Sequence, residues 1–248
     1  MTEMLRVEGL RVDFGGVHAV DGVDLGIDGD QVHALIGPNG AGKTTLFNAL
    51  TGVVRPSGGR VVFDGEDITG WSPRRIAHRH LVRTFQITSV FSGLSVYDNI
   101  AVAAQSRYGV LGPMLRASQR AAIAEHVERA LVLLGIEALA ARQVSDLSYG
   151  DQRVVEVAIA MALEPKLLLL DEPTAGMSPA ETERIANLVR RMRSHVGIVI
   201  IEHDMEVVMG VADRISVLNF GKLVAEGAPA AIQHDPHVRE IYLGSASC

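Results

Sequence analysis

Apolar positions change their spacing along the chain, and the changes mark its parts. In the first third they form short runs broken by Gly and Asp, "LRVEGLRVDF", "HAVDGVDLGI" and "QVHALIG", a pattern that predicts strands. "KTTLFNALTG" has helical spacing and ends at Gly52. "GRVVFDG" and "LVRTFQ" return to strand. Between them "WSPRRIAH" offers Ser72 as N-cap and Pro73 at the first helical position. The middle is helical in two stretches, Ser95 to Arg107 and Arg116 to Ile136, with Gly135 as the stop of the second. The last third alternates: "KLLLLDE", "GIVIIEH" and "RISVLNF" as strands, "SPAETERIANLVRRMRSHVG" and "DMEVVMGVAD" as helices, and "GKLVAEG" as a closing hairpin strand. An all-apolar run bounded by polar residues is that of a buried parallel strand, and strand–helix alternation implies βαβ units. The expectation is an α/β fold with a helical segment over about residues 92–162.

Composition narrows the partners. A net charge of −6 argues against a nucleic-acid binder. The lone cysteine, Cys248, permits no disulfide within the chain, which suits a reducing compartment. The start, "MTEMLRVEGL", has no apolar h-region, and no run of about 18 apolar residues occurs, so neither a signal peptide nor a membrane span is expected.

The chemistry concentrates at the ends of strands. "GPNGAGKTT", Gly37 to Thr45, follows a predicted strand and opens a predicted helix, the setting required of a phosphate-binding loop. Gly37, Gly40 and Gly42 let the backbone N–H groups turn inward between Pro38, Asn39 and Ala41. Lys43 can then reach the β- and γ-phosphates, and Thr44 can ligate Mg²⁺. "LLLLDE" ends a buried strand in Asp171, placed to support Mg²⁺, and Glu172, placed to deprotonate a water. His203 lies just beyond the end of the next strand and can contact a γ-phosphate. Gln86, in "TFQ", can reach Mg²⁺ or the attacking water, or is a polar loop residue. Phe14 stacks on adenine or belongs to the core. "LSYGDQ" reads two ways: Ser148 as N-cap with Asp151 three residues on, or a variant of an ATPase motif.

The ordered set "GPNGAGKTT", "TFQ", "LSYGDQ", "LLLLDEP" and "IEHD" resembles the nucleotide-binding subunits of ABC transporters over essentially the whole chain. The resemblance implies a P-loop NTPase core, mostly parallel with an antiparallel N-terminal β part, over residues 1–91 and 163–248. It also implies a helical subdomain over 92–162 that carries the signature. ATP and Mg²⁺ are the implied cofactors. The implied partners are a second ATPase subunit, in a homo- or heterodimer across ATP, and membrane permease subunits, with a solute-binding protein acting indirectly. Ser148, Tyr149 and Gly150 would grip ATP held by the partner subunit. The chain would sit at the cytoplasmic face of the membrane, peripherally, and be soluble when isolated. Three positions depart from the family pattern: Tyr149 for Gly, Asp151 for Gln, and Ser178 for Asp in "EPTAGMSP". "DFGGVHAVDGVDL", "PTAGMSPAET", "IEHDMEVV" and "IYLG" are similar to the ATPase subunits of branched-chain amino acid importers, a pattern shared in part by urea and short-amide importers. An ATPase of this fold serving a soluble machine, or a module that hydrolyses poorly, are the rival readings. The apolar loop "ITSVFSGLSVYDN", centred on Phe91, is the expected permease contact.

Overall fold

The computed structural model describes residues 3–84, 90–108 and 115–244, with side chains to 242. The chain groups into two compact units. The first contains Met1–Arg83, Lys166–Pro173 and Arg193–Cys248; the second contains Thr84–Pro165 and Thr174–Met192.

The first unit holds two sheets. One is antiparallel, ordered β2-β1-β4-β5, from β1 (Glu3–Phe14), β2 (Val17–Asp28), β4 (Gly58–Phe63) and β5 (Glu66–Asp67). β1 and β2 are longer than their Gly-broken sequences suggest, because register shifts absorb the interruptions. The other sheet has six strands in the order β10-β9-β3-β8-β7-β6. β3 (Val32–Ile36), β6 (Leu81–Arg83), β7 (Leu167–Asp171), β8 (Gly197–Ile201) and β9 (Arg214–Asn219) run parallel, and β10 (Lys222–Gly227) returns antiparallel to β9. Every residue of β3, β7 and β8 is buried, as expected of parallel strands covered on both faces, and only His33 of β3 and the terminal Asp171 of β7 interrupt their apolar runs. Helix α1 (Lys43–Leu50) shares one core with the antiparallel sheet through Phe47, Leu50, Leu5, Ile27 and Phe63. The short helix α2 (Pro73–Ala77) precedes β6. Ser72 holds its N-cap position without a side-chain bond. α7 (Met205–Val211), α8 (Pro229–His234) and α9 (Pro236–Gly244) complete the unit.

The second unit is built from α3 (Val96–Ser106), α4 (Ala117–Leu134), α5 (Tyr149–Met161) and α6 (Pro179–Met192). Gly135, in the left-handed region at φ 67, ends α4 as its position predicts. The sequence places α6 with the ATP-binding core, but the packing places it here. Arg191 donates to the Leu134 carbonyl at the end of α4, and Arg184 pairs with Asp151 at the start of α5. Among the described residues no helix is long and apolar enough to cross a membrane.

Candidate functional site

β3 delivers the chain into Gly37–Gly42, and α1 leaves from it. Two glycines there are dictated by close approach. A Cβ on Gly37, at φ 150, would lie 2.1 Å from the Leu218 carbonyl oxygen; one on Gly42, at φ 103, would lie 2.3 Å from that of Ala19. Only glycine accepts both the backbone angle and the contact. The turn between β9 and β10 braces the loop from outside: the Gly221 N–H donates to Ala41, and the Asp21 N–H of β2 donates to Gly221. Gly42 is the N-cap of α1 and offers no side chain, and the first turn of the helix carries no acid. The first N–H groups of α1 are therefore free of side-chain caps, which leaves an anion site at the positive end of the helix. Lys43 is buried and donates to the carbonyls of Gly37 at 2.6 Å and Pro38 at 3.0 Å. Burial lowers its pKa, and the nearby charges of Glu172 and Asp171 oppose that shift. Held among the described residues by these two carbonyl oxygens, the buried cation is ready for phosphate.

Asp171 ends β7 and is almost fully buried. One carboxylate oxygen accepts from Arg83 at 2.5 Å, while the other has no hydrogen-bond partner among the described residues. Such an orphaned oxygen fits an absent cation or its water. Arg83 also donates to Asn48 Oδ1 of α1 at 2.6 Å, with its guanidinium over the Phe47 ring at 5.6 Å. Sequence reasoning missed Arg83 and Asn48. The signal was Arg83 itself, a lone cation in "LVRTFQ" at the end of an otherwise buried strand. Glu172 follows Asp171 in the left-handed region, at φ 46, with its N–H donating to Ile201 of β8 at 3.0 Å. A strained backbone at a polar residue is a mark of functional sites. His203 stands two residues beyond the end of β8, largely exposed, and Asp204 caps α7 after it. Phe14 lies at the turn between β1 and β2 with about half its surface exposed (51%), which removes its core reading and leaves a ring free to stack. Lys43, Asp171 and Glu172 thus come together in the first unit; Gln86 lies outside the described residues.

In the second unit, "LSYGDQ" opens α5. Ser148 is the N-cap, and its Oγ accepts from the Asp151 N–H at 3.2 Å. The expected return arm of a capping box is replaced. The Asp151 carboxylate accepts from the Ser148 hydroxyl at 2.9 Å and from Arg184 at 2.6 Å. Burial works to raise the pKa of Asp151, but these donors lower it overall. Tyr149 lies back along the helix, where its hydroxyl accepts from Arg153 Nη2 at 2.9 Å. A Cβ on Gly150 would sit 2.7 Å from the Glu181 carboxylate, so a side chain there would have to push that flexible carboxylate aside. Ser178, where the family has Asp, starts α6: its N–H and hydroxyl both donate to Glu181, at 3.0 and 2.7 Å. In the same unit Phe91 is exposed (58%) while its backbone is fixed. Its N–H donates to the buried Asn99 at 2.7 Å, and its carbonyl accepts from the same amide at 3.0 Å.

Comparison with known proteins agrees with this geometry. Residues 20–175 match the ABC transporter family, and residues 222–247 match the family described as branched-chain amino acid ATP-binding cassette transporter. The chain is 42% identical to the high-affinity branched-chain amino acid transport ATP-binding protein LivG of Escherichia coli (strain K12), over 98% of each chain. It is equally similar to the corresponding protein BraF of Pseudomonas aeruginosa, 42% identical over 98% of each. Among solved structures, the ADP conformation of MJ1267, an ATP-binding cassette of an ABC transporter, superposes with a TM-score of 0.86 at 30% identity, over 98% of this chain and 100% of that one. A nucleotide-free ATP-binding cassette from an ABC transporter gives 0.84 at 31% identity, over 97% and 99%. The chain belongs to the ABC transporter family, as an ATP-binding and ATP-hydrolysing subunit in the group of LivG and BraF.

Proposed function

We propose that this ATPase energises import of branched-chain amino acids, working as a dimer on a membrane permease. The observation that carries the reading is the joining of an uncapped helix start, a buried lysine and a half-satisfied buried aspartate at the C-terminal ends of the parallel strands, in a chain alike to LivG along nearly its whole length. In this reading the N–H groups between Gly37 and Thr45 cradle phosphate oxygens, and Lys43 bonds the β- and γ-phosphates. Thr44 and Asp171 hold Mg²⁺, which when bound offsets phosphate charge. Glu172 takes the proton of the attacking water. His203 contacts the γ-phosphate, Gln86 the water or Mg²⁺, and Phe14 the adenine face. Ser148, Tyr149 and Gly150 meet ATP held by the partner subunit. The complex works at the cytoplasmic face of the membrane, with a solute-binding protein supplying the permease and no nucleic acid involved.

Phe91 is the proposed permease contact, because Asn99 fixes the loop backbone and leaves the ring outward. A short permease helix would lay its apolar face there. The test is reconstitution with the permease subunits in vesicles. Leucine uptake should follow ATP, and Phe91→Asp should abolish uptake while the isolated subunit hydrolyses ATP as before. Uptake of urea or short amides in place of leucine would move the substrate assignment, and normal uptake by Phe91→Asp would move the docking site.

A further inference from the structure

The two groups proposed to hold Mg²⁺ come from different elements. Thr44 is on α1 and Asp171 at the end of β7. Hydrogen bonds from one guanidinium reach both elements. Arg83, at the end of β6, donates through Nη1 to Asn48 Oδ1 at 2.6 Å and through Nη2 to Asp171 Oδ2 at 2.5 Å. Asn48 lies four residues beyond Thr44, one turn along the same face of α1. The Arg83 side chain is buried and rests over the Phe47 ring of that helix. The fork is planar, so bonding at both tips fixes the direction of each acceptor. It also divides the aspartate: Oδ2 is taken, and Oδ1 is left buried and without a partner among the described residues.

We propose that Arg83 is the positioning residue of the metal site. It spaces α1 from β7 and turns the free oxygen of Asp171 toward the place where Mg²⁺ or its water is bound. It also sets a positive charge against the bound oxygen of that buried carboxylate. Asn48 is its anchor. The inference rests on the reading that Thr44 and Asp171 hold Mg²⁺. Partners that orient a metal ligand from behind change metal affinity by about tenfold or more when removed. The expected effect is on the metal, with nucleotide binding in its absence unaltered.

The experiment measures ATP affinity calorimetrically on the full chain, first in chelator and then across a Mg²⁺ titration, with Mn²⁺ bound in the presence of ATP followed by its electron-spin resonance. Asn48→Ala frees one tip of the fork, and Arg83→Lys keeps the charge but cannot span both acceptors. Both should bind ATP in chelator like the parent, need roughly tenfold more Mg²⁺ for half-saturation, and show a changed Mn²⁺ signal. If both keep the parental Mg²⁺ dependence and Mn²⁺ signal while only the melting temperature falls, Arg83 is structural and the inference is overturned. Thr44→Val and Asp171→Asn separate the two levels. If they shift the Mg²⁺ dependence and the Arg83 and Asn48 variants do not, the clamp alone fails. If they too leave it unchanged, the metal assignment fails first.

Discussion

The starts of α1 and α5 are both helix N-termini that the proposed function presents to ATP, yet they are built in opposite ways. α1 begins at Gly42 with no capping side chain and no acid in its first turn. α5 begins at Ser148, which caps Asp151, and Asp151 is itself tied to Arg184. The first leaves its amide dipoles unclaimed and adds a buried lysine. The second satisfies itself with its own carboxylate, which complements the helix dipole by about 0.3–1 kcal/mol. In the proposed function the first is therefore the resident phosphate site, and the second, satisfied when empty, engages a phosphate only when dimer closure brings one to it. The Tyr149–Arg153 contact strengthens the contrast, since it sets a partly exposed aromatic ring where the family pattern has glycine.

The largest test of the first site is Glu172→Gln. Binding of ATP should persist, and turnover should fall by about 10² to 10⁴-fold, the usual contribution of a general base; single-turnover kinetics would check it, and rapid turnover would move the base elsewhere. Next is Lys43→Ala. Losing a charge-assisted bond to phosphate should cost about 3 kcal/mol, or roughly a hundredfold in ATP affinity by calorimetry. An affinity near wild type would remove the asymmetry between the two helix starts.

Acid should distinguish the regions as well. His33 of β3, the strand that feeds the phosphate loop, is buried against Ser216 at 2.8 Å. Burial pushes its pKa down to about 4 from 6.5, against the raising influence of Glu226. Its folded form resists protonation, so the associated stability is complete above pH 6.5 and is lost as pH falls from 6.5 toward 4. The slope is about 1.4 kcal/mol per pH unit over that window. At the α5 start the shift has the same direction but favours the charged form: Asp151 stays ionised to lower pH than a free carboxylate, so its contribution fades only in stronger acid. Urea midpoints at about pH 7.5 and 5 should fall for the wild type and change much less for His33→Gln.

The smallest expected effect is the most specific to the comparison. Asp151→Gln restores the family residue and removes a negative charge from the start of α5. Melting temperature should drop slightly, by about 0.5–1 kcal/mol of stability at most. Cooperative ATP hydrolysis should rise severalfold at limiting ATP. If hydrolysis falls instead, the carboxylate helps the contact between subunits.

The parts of this molecule that sequence made legible are those ruled by one strong local cause. The three all-buried strands announce themselves because apolar residues fill them, with only His33 of β3 and the terminal Asp171 of β7 as polar members. The phosphate loop is visible because Gly37 and Gly42 admit no substitute, and Ser148 because capping needs a short hydroxyl beside the first turn. What stayed hidden depends on residues distant in sequence. Arg83 meets Asp171 across 88 residues, and no local pattern marks the pair. α6 looked like part of the βαβ core because it lies between two core strands. Its companions, Leu134 and Asp151, are known only once the chain is folded. The length of β1 and β2 was concealed by their glycines, which mark register shifts and not strand ends.

The left-handed backbone of Glu172 carries a consequence for anyone who would harden this protein against heat. Asn and Gly occupy that region with less strain, by about 1 kcal/mol or more. With Glu172 as the proposed general base, a library screened on survival at elevated temperature alone would thus enrich Asn or Gly at 172 and harvest folds that no longer split ATP. Thermal selection must be coupled to phosphate release from the first round, because at this position robustness and chemistry are drawn from the same torsion angle.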